Sequence, residues 1–191
     1  MSPATKKTYT FTLFVQGADV LSDDGLDALF EAGCDDATFG ARDGAQYGEF
    51  DREAISFSAA LSSAIHAMAS ALPGLEIVRV EPDDLVSMAT IAERSRRSRE
   101  SIRLLAAEQR GPGGFPPPIA YVDQKTRLWH WPDVAHWLTA HDKAKVDVDP
   151  EAADLVAALN AAYDLREHTR RLPKAALALI DEALSATRLA R

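Results

Sequence analysis

The stretch VSMATIAERSRRSRESIRLLAAEQR, residues 86–110, reads as two short helices joined by a tight turn. Ile91 and Ala92 share a face of the first, over 87–95. Ile102 and Leu105 share a face of the second, over 98–108. Ser87 and Ser98 stand where each helix begins. A serine oxygen there accepts from a backbone N–H that the helix leaves without a partner. Arg96 and Arg97 fall in the turn, with Arg99 and Arg103 along the second helix. An apolar stripe on one side and a guanidinium stripe on the other is the chemistry that a helix entering the DNA major groove needs.

Next comes RGPGGFPPPIAYVDQKTRLWHWPDVAHWL, residues 110–138. Its glycines and prolines end the second helix and leave a stiff, extended lead. Residues 119–122 can pair with 126–129 across Asp123-Gln124-Lys125. Residues 132–138 form a short helix with Val134, Trp137 and Leu138 on one face. Taken in this order, the helix pair, hairpin and tryptophan helix resemble the MerR-like winged-helix class, above all the AlpA and excisionase type of bacterial and phage regulators. Ala92 matches the small position where the two helices touch. Ile102, ten residues on, matches the apolar position that pins the second helix. The resemblance covers roughly a third of the chain, about residues 84–140. It implies binding of double-stranded DNA, with the second helix in the major groove and the hairpin as a wing. One departure stands out: the turn normally carries a glycine, and here that position is Arg96. Either the turn takes another path, or Arg96 accepts a strained left-handed backbone.

The residues expected to face DNA are Arg96, Arg97, Ser98, Arg99, Glu100 and Arg103 on the turn and second helix, Arg110 behind it, and Gln124, Lys125 and Arg127 on the wing. Arginine takes guanine O6 and N7 with two N–H groups, and glutamate accepts from cytosine N4. The wing residues would meet phosphate or the minor groove.

The net charge of −8 is unevenly spread. Residues 1–84 hold 5 Lys+Arg against 15 Asp+Glu, residues 85–145 hold 10 against 6, and residues 146–191 hold 6 against 8. The positive excess coincides with the helix pair and wing. Acidic regions farther from DNA than the Debye length of about 8 Å are largely screened. The balance therefore argues against indiscriminate sticking to nucleic acid, not against docking through one face. No apolar run approaches the length of a membrane span, and the first residues lack the apolar core of a secretory leader. The single Cys34 rules out an internal disulfide and fits a reducing compartment, so the cytoplasm is expected.

Upstream, residues 8–16 read as a strand. Residues 22–32 read as a helix with Leu26, Leu29 and Phe30 as its stripe, ended by Gly33. Residues 36–42 and 46–51 form a hairpin around Asp43-Gly44. Residues 56–72 form a helix carrying Leu61, Ile65, Met68 and Leu72, stopped by Pro73-Gly74, and 75–81 a last strand. The order β-α-β-β-α-β is that of a ferredoxin-like split βαβ sandwich. Glu81-Pro82-Asp83-Asp84 reads as a hinge, and residues 142–149 as a linker. Asp149-Pro150-Glu151 starts a helix with Leu155, Leu159 and Tyr163. After Leu172-Pro173 a second helix carries Leu177, Ile180 and Leu184, completing an αα-hairpin. The expectation is an α+β chain in three parts: a ferredoxin-like domain over 8–83, a winged helix-turn-helix over 84–145 and a helical hairpin over 146–191.

Other chemistry is sparse. Trp129, Trp131 and Trp137 fit core packing around a short helix better than base stacking, and Phe115 fits a plug under the wing. The spacing of His130, His136 and His141 matches no usual zinc pattern. Cys34 sits past a helix end, away from the positive terminus that activates a thiol. GPGGFPPP lacks the GK[ST] ending of a phosphate loop, and the paired aspartates read as caps. No catalytic set, cofactor or metal site is expected. The reading is a sequence-specific, homodimeric DNA-binding regulator, not an enzyme. The alternative is an antitoxin-like or adaptor protein whose acidic N-terminal domain binds a protein partner.

Overall fold

Tyr9, Phe11, Leu13 and Val15 line one side of the first strand, β1 (Lys7–Gln16), and three of the four are buried. Period-two apolar residues between β-branched neighbours make this a half-buried strand. The computed structural model describes residues 5–120, 126–141 and 148–188. Within them the chain is α+β, with seven helices and a four-stranded antiparallel sheet.

β2 (Ala37–Arg42) and β3 (Ala45–Ala54) form the expected hairpin, and Asp43 and Gly44 both take positive φ in its turn. β3 pairs β1 with Phe11 opposite Phe50, their rings stacked at 5.3 Å. β4 (Glu76–Glu81) pairs the other side of β1. The strand order is β2-β3-β1-β4. α1 (Asp23–Glu31) and α2 (Phe57–Ala71) bury Leu29, Leu61, Ala64 and Met68 against the inner face of the sheet. Leu26 and Phe30, expected in the α1 stripe, are instead 39% and 68% exposed. The line that turns inward is Gly25 and Leu29, because α1 crosses the preceding loop closely. A Cβ on Gly25 would lie 2.5 Å from the Asp19 carbonyl oxygen.

One charged pair lies within this core. Arg52 is buried; its Nε and Nη2 donate to the two oxygens of Asp36 at 2.8 and 2.7 Å, and Nη2 also reaches the Gly33 carbonyl. Asp36 is therefore an ion-pair partner, not a cap. Cys34 beside it is buried, and that burial pushes its thiol pKa up.

A second core holds the remaining short elements. β5 (Leu85–Ser87), α3 (Met88–Arg94), α4 (Arg99–Ala106), β6 (Leu128–His130) and α5 (Trp131–His141) enclose Ile91, Ile102, Trp129, Val134 and Leu138. β6 pairs chiefly with β5, Val86 opposite Trp129. The expected 119–122/126–129 hairpin survives as a bridge in which Ile119 N–H donates to the Leu128 carbonyl and Leu128 N–H to that of Ala120. Its tip lies outside the described residues. Three residues are too few for strand periodicity to show, which is why β5 goes unread between the hinge and the first helix.

α6 (Pro150–Thr169) joins the two cores. Leu155, Leu159 and Tyr163 are only partly buried, and the face that docks deepest is Ala153, Val156, Ala157 and Asn160. Val156 belongs to the sheet core and Ala153 to the second. Asn160 reaches the open edge of β4: Val80 N–H donates to its Oδ1 at 2.8 Å, and its Nδ2 donates to the Val80 carbonyl at 3.0 Å. Nδ2 also donates to Asp84 Oδ1, and Arg166 donates to the Ile77 carbonyl. An exposed strand edge is thereby covered by a helix.

The segment 81–84 is correspondingly not a free hinge. Arg79 pairs with Asp83, Arg94 donates to the Asp83 carbonyl, and Trp131 N–H donates to the Asp84 carbonyl. α7 (Lys174–Arg188) follows α6, and none of its described side chains is buried. No helix among the described residues is long and apolar enough to cross a membrane.

Asn160→Leu keeps the branched shape but leaves the Val80 N–H and carbonyl facing an apolar side chain. The expected loss is on the order of 2–3 kcal/mol in urea denaturation. Arg52→Met strands Asp36 and is expected to cost about 3 kcal/mol, near the lower end for breaking a buried pair, since Asp36 keeps some solvent contact.

Candidate nucleic-acid interface

Ser87 and Ser98 cap α3 and α4 as expected, accepting from Thr90 N–H at 3.2 Å and Ser101 N–H at 3.1 Å. Ser98 is thus a helix cap first. Between the helices Arg96 takes φ +52°, so the left-handed alternative is the one adopted. The turn closes with two backbone bonds: Arg97 N–H to the Ala92 carbonyl at 2.8 Å and Arg96 N–H to that of Glu93 at 3.0 Å. This is the Schellman pattern, which usually places glycine where Arg96 stands.

α4 ends in the same way and sooner than expected. Its last helical residue is Ala106, and Glu108 takes φ +55° while Gln109 N–H donates to the Leu104 carbonyl. The glycines therefore shape the loop after the helix stop. Gly111 has φ +86°, and a Cβ there would lie 2.7 Å from Leu105 Cδ2. Two indoles then hold the loop down: Trp137 donates to the Gly113 carbonyl at 3.1 Å and Trp129 to that of Pro116 at 3.0 Å. Phe115 packs edge-on against Trp137 beneath it. All three tryptophans and Phe115 are buried.

With Ile102 and Leu105 turned into the core, the opposite face of α4 carries its charges outward. Arg96, Arg99, Arg103, Arg110 and Arg127 are exposed. Arg97 is half-buried and donates to Ser101 Oγ at 3.4 Å. Arg103 grips Glu100 with two bonds, Nε–Oε2 at 2.8 Å and Nη2–Oε1 at 2.7 Å. That hydrogen-bonded contact lowers the Glu100 pKa and raises that of Arg103. The Glu100 carboxylate is therefore already engaged. Among the described residues, Arg96, Arg99, Arg110 and Arg127 form no ion pair.

Arg99 and Arg103 from α4 and Arg127 beside β6 line one open groove, floored by Met88, Ala89 and Trp129. The structure thus brings Arg127 to the arginines of α4, although 24 residues separate it from Arg103. Gln124 and Lys125 lie outside the described residues. Arg94 escaped the sequence reading: it belongs to the same basic run, yet it points away from this groove, over the Trp131 ring and onto the Asp83 carbonyl.

Comparison with known protein-family models, with curated proteins and with solved structures finds no match for this chain.

Arg96→Gly removes the cost of a left-handed side-chain-bearing residue without disturbing the turn. It is expected to stabilise the protein by about 1 kcal/mol, seen as a higher thermal midpoint. An unchanged or lower midpoint would mean that the Arg96 side chain itself supports the turn.

Proposed function

We propose that this protein is a sequence-specific DNA-binding regulator that acts through a winged helix-turn-helix. The observation that carries the reading is the groove in which Arg99 and Arg103 of α4 converge with Arg127 beside β6; the described residues that line it include no carboxylate, and Arg103 is held by Glu100. A helix placed in a major groove presents its N-terminal residues to base edges. Here those residues are Arg97, Arg99 and Glu100, with Arg96 and Arg127 over the flanking phosphates. Gln124 and Lys125 extend the wing in the same reading.

In this reading the βαββαβ half is a ferredoxin-like domain that serves as a platform, and its strand order supports that class. Two copies read paired half-sites. The dimer surface is α7, where Leu179 and Leu184 are 65% and 50% exposed. A helix of 15 residues whose described side chains are at most half-buried gains little from its own packing and has little reason to persist alone in water. The cytoplasm is the compartment in which such a regulator meets DNA.

A second reading, a protein partner at the acidic N-terminal domain, is favoured by one feature. On the outer face of the sheet Phe14 and Tyr47 lie 5.9 Å apart, with Glu49 and Glu81 beside them and the Arg42 guanidinium over the Tyr47 ring, so two carboxylates face one cation. Such a surface suits a basic partner.

Selection from random duplexes by the full chain, followed by titration at several salt concentrations, tests the main reading. Arg99→Ala is expected to cost about 1–3 kcal/mol on the selected site and to relax one position of it. Arg127→Ala is expected to weaken all duplexes alike and to reduce the salt slope by about one. If no sequence is enriched, or if both variants bind as the parent does, the DNA reading fails.

A further inference from the structure

A cavity of about 350 Å³ opens where the two cores meet. Phe57 comes from the start of α2, Asp84 from the connector, Arg94 from α3, Trp131 from α5, Asp149 from the cap of α6 and Val156 from α6 itself. Its wall is mostly apolar with a few polar groups, and its size falls within the range of small-molecule sites, which favour junctions between packed bodies.

Arg94 is the sole cation among the described residues that line it. The guanidinium lies 5.0 Å over the Trp131 ring, and its Nη1 donates to the Asp83 carbonyl at 2.8 Å. It forms no ion pair among the described residues. Burial draws its pKa down, while Asp83, Glu81, Glu93 and Asp84 pull the other way from farther off. A guanidinium has five N–H donors, and no buried side-chain nitrogen or oxygen is left without a partner. The unused donors of Arg94 are therefore open to solvent. The two carboxylates in the wall are in a different condition. Asp84 Oδ1 accepts from Asn160 at 3.0 Å and from Arg79 at 3.5 Å, and Asp149 Oδ1 accepts from Ala152 N–H at 3.0 Å as the α6 cap. Asp149, like Arg94, has no ion pair among the described residues, but its Oδ1 is engaged by the cap, whereas Arg94 offers the cavity its only cationic donors.

We propose that this cavity binds a small monoanionic organic acid with a flat apolar body, its carboxylate on the open N–H groups of Arg94 and its ring against Phe57 and Val156. Carboxylate and guanidinium match as a fork, two N–H groups to two oxygens, and such bonds are the stronger kind. The apolar body would replace water on a largely apolar wall. Such a ligand touches both cores at once, so it would bear on how the helix pair is held against the sheet. The proposal does not rest on DNA binding, and its test needs no DNA.

The test is calorimetric titration of the full chain with phenylacetate, with its neutral isostere phenylacetamide and with phenylalanine. Phenylacetate is expected to bind at least about tenfold more tightly than the amide. Arg94→Met is expected to bring that ratio to about one, and Arg103→Met, in the other groove, to leave it unchanged. Should Arg94→Met fold poorly, Arg94→Lys keeps the charge but loses the fork and is expected to lower the ratio severalfold. In the parent protein the preference should also shrink with added salt. Equal binding of acid and amide, absence of acid binding at millimolar concentration, or a preference that persists in Arg94→Met would overturn the proposal. Tighter binding of phenylalanine than of phenylacetate would also overturn it, because an ammonium would then be paired with Asp84 or Asp149.

Discussion

One amide side chain holds the architecture in register. β4 is the last strand of its sheet, and at Val80 its N–H and carbonyl point away from the neighbouring strand. Water could satisfy them, but an open edge invites pairing with another chain. Asn160 presents a donor and an acceptor in the spacing of a neighbouring strand and takes both groups. Few side chains can do this: Asp and Glu only accept, and Lys and Arg only donate. Once Asn160 is docked, the rest of α6 has little freedom. Val156, one turn earlier, enters the sheet core, and Ala153 enters the other. The same amide reaches Asp84, whose backbone carbonyl receives the first N–H of α5. A connector that would otherwise swing is tied to a helix, a strand edge and the second core together.

The buried Arg52 and the half-buried Arg94 differ in how their charge is met. Arg52 is fully matched: Asp36 answers its charge in a two-bond pair, and Gly33 takes a further N–H. Such a group specifies one packing, because removing either member leaves the other uncompensated. Arg94 is only partly matched, by a carbonyl and an indole face. A cation with no ion pair among the described residues, on the wall of a largely apolar cavity, is the kind of polar group that fixes a ligand's orientation there. The arginines of α4 differ from both. They are exposed because the opposite face of the helix is committed to Ile102 and Leu105, and Arg96, in the turn before them, is exposed with a left-handed backbone.

Local order was readable in the chain where it depends on neighbours a few residues away. Ser22, Ser56, Ser87, Ser98 and Asp149 all cap the helices they precede. The alternation in β1, the Asp43-Gly44 turn and the α2 stripe lie where the pattern put them. In the candidate interface, the exposed face of α4 followed from the spacing of Ile102 and Leu105. What was not readable depended on partners far along the chain. β5 is three residues long and has no period of its own; it is a strand because Trp129 and its neighbours lie beside it. Leu26 and Phe30 look like core residues on a helical wheel, yet the approach of Gly25 to Asp19 rotates them outward. Arg52 and Asp36 meet only because the β2–β3 hairpin brings them together.

The sequence by itself determined the helices, their caps, most of the strands and the basic stretch that carries the arginines. Those features rest on backbone propensity, side-chain period and hydrogen bonds that span three or four residues. Only the tertiary structure decided that α6 closes a sheet edge and joins two cores, that Arg127 stands beside Arg99, and that Arg94 lines a cavity instead of the open groove. Each of these is a meeting of groups separated by tens of residues, and proximity of that kind exists only after the apolar faces have been buried against one another.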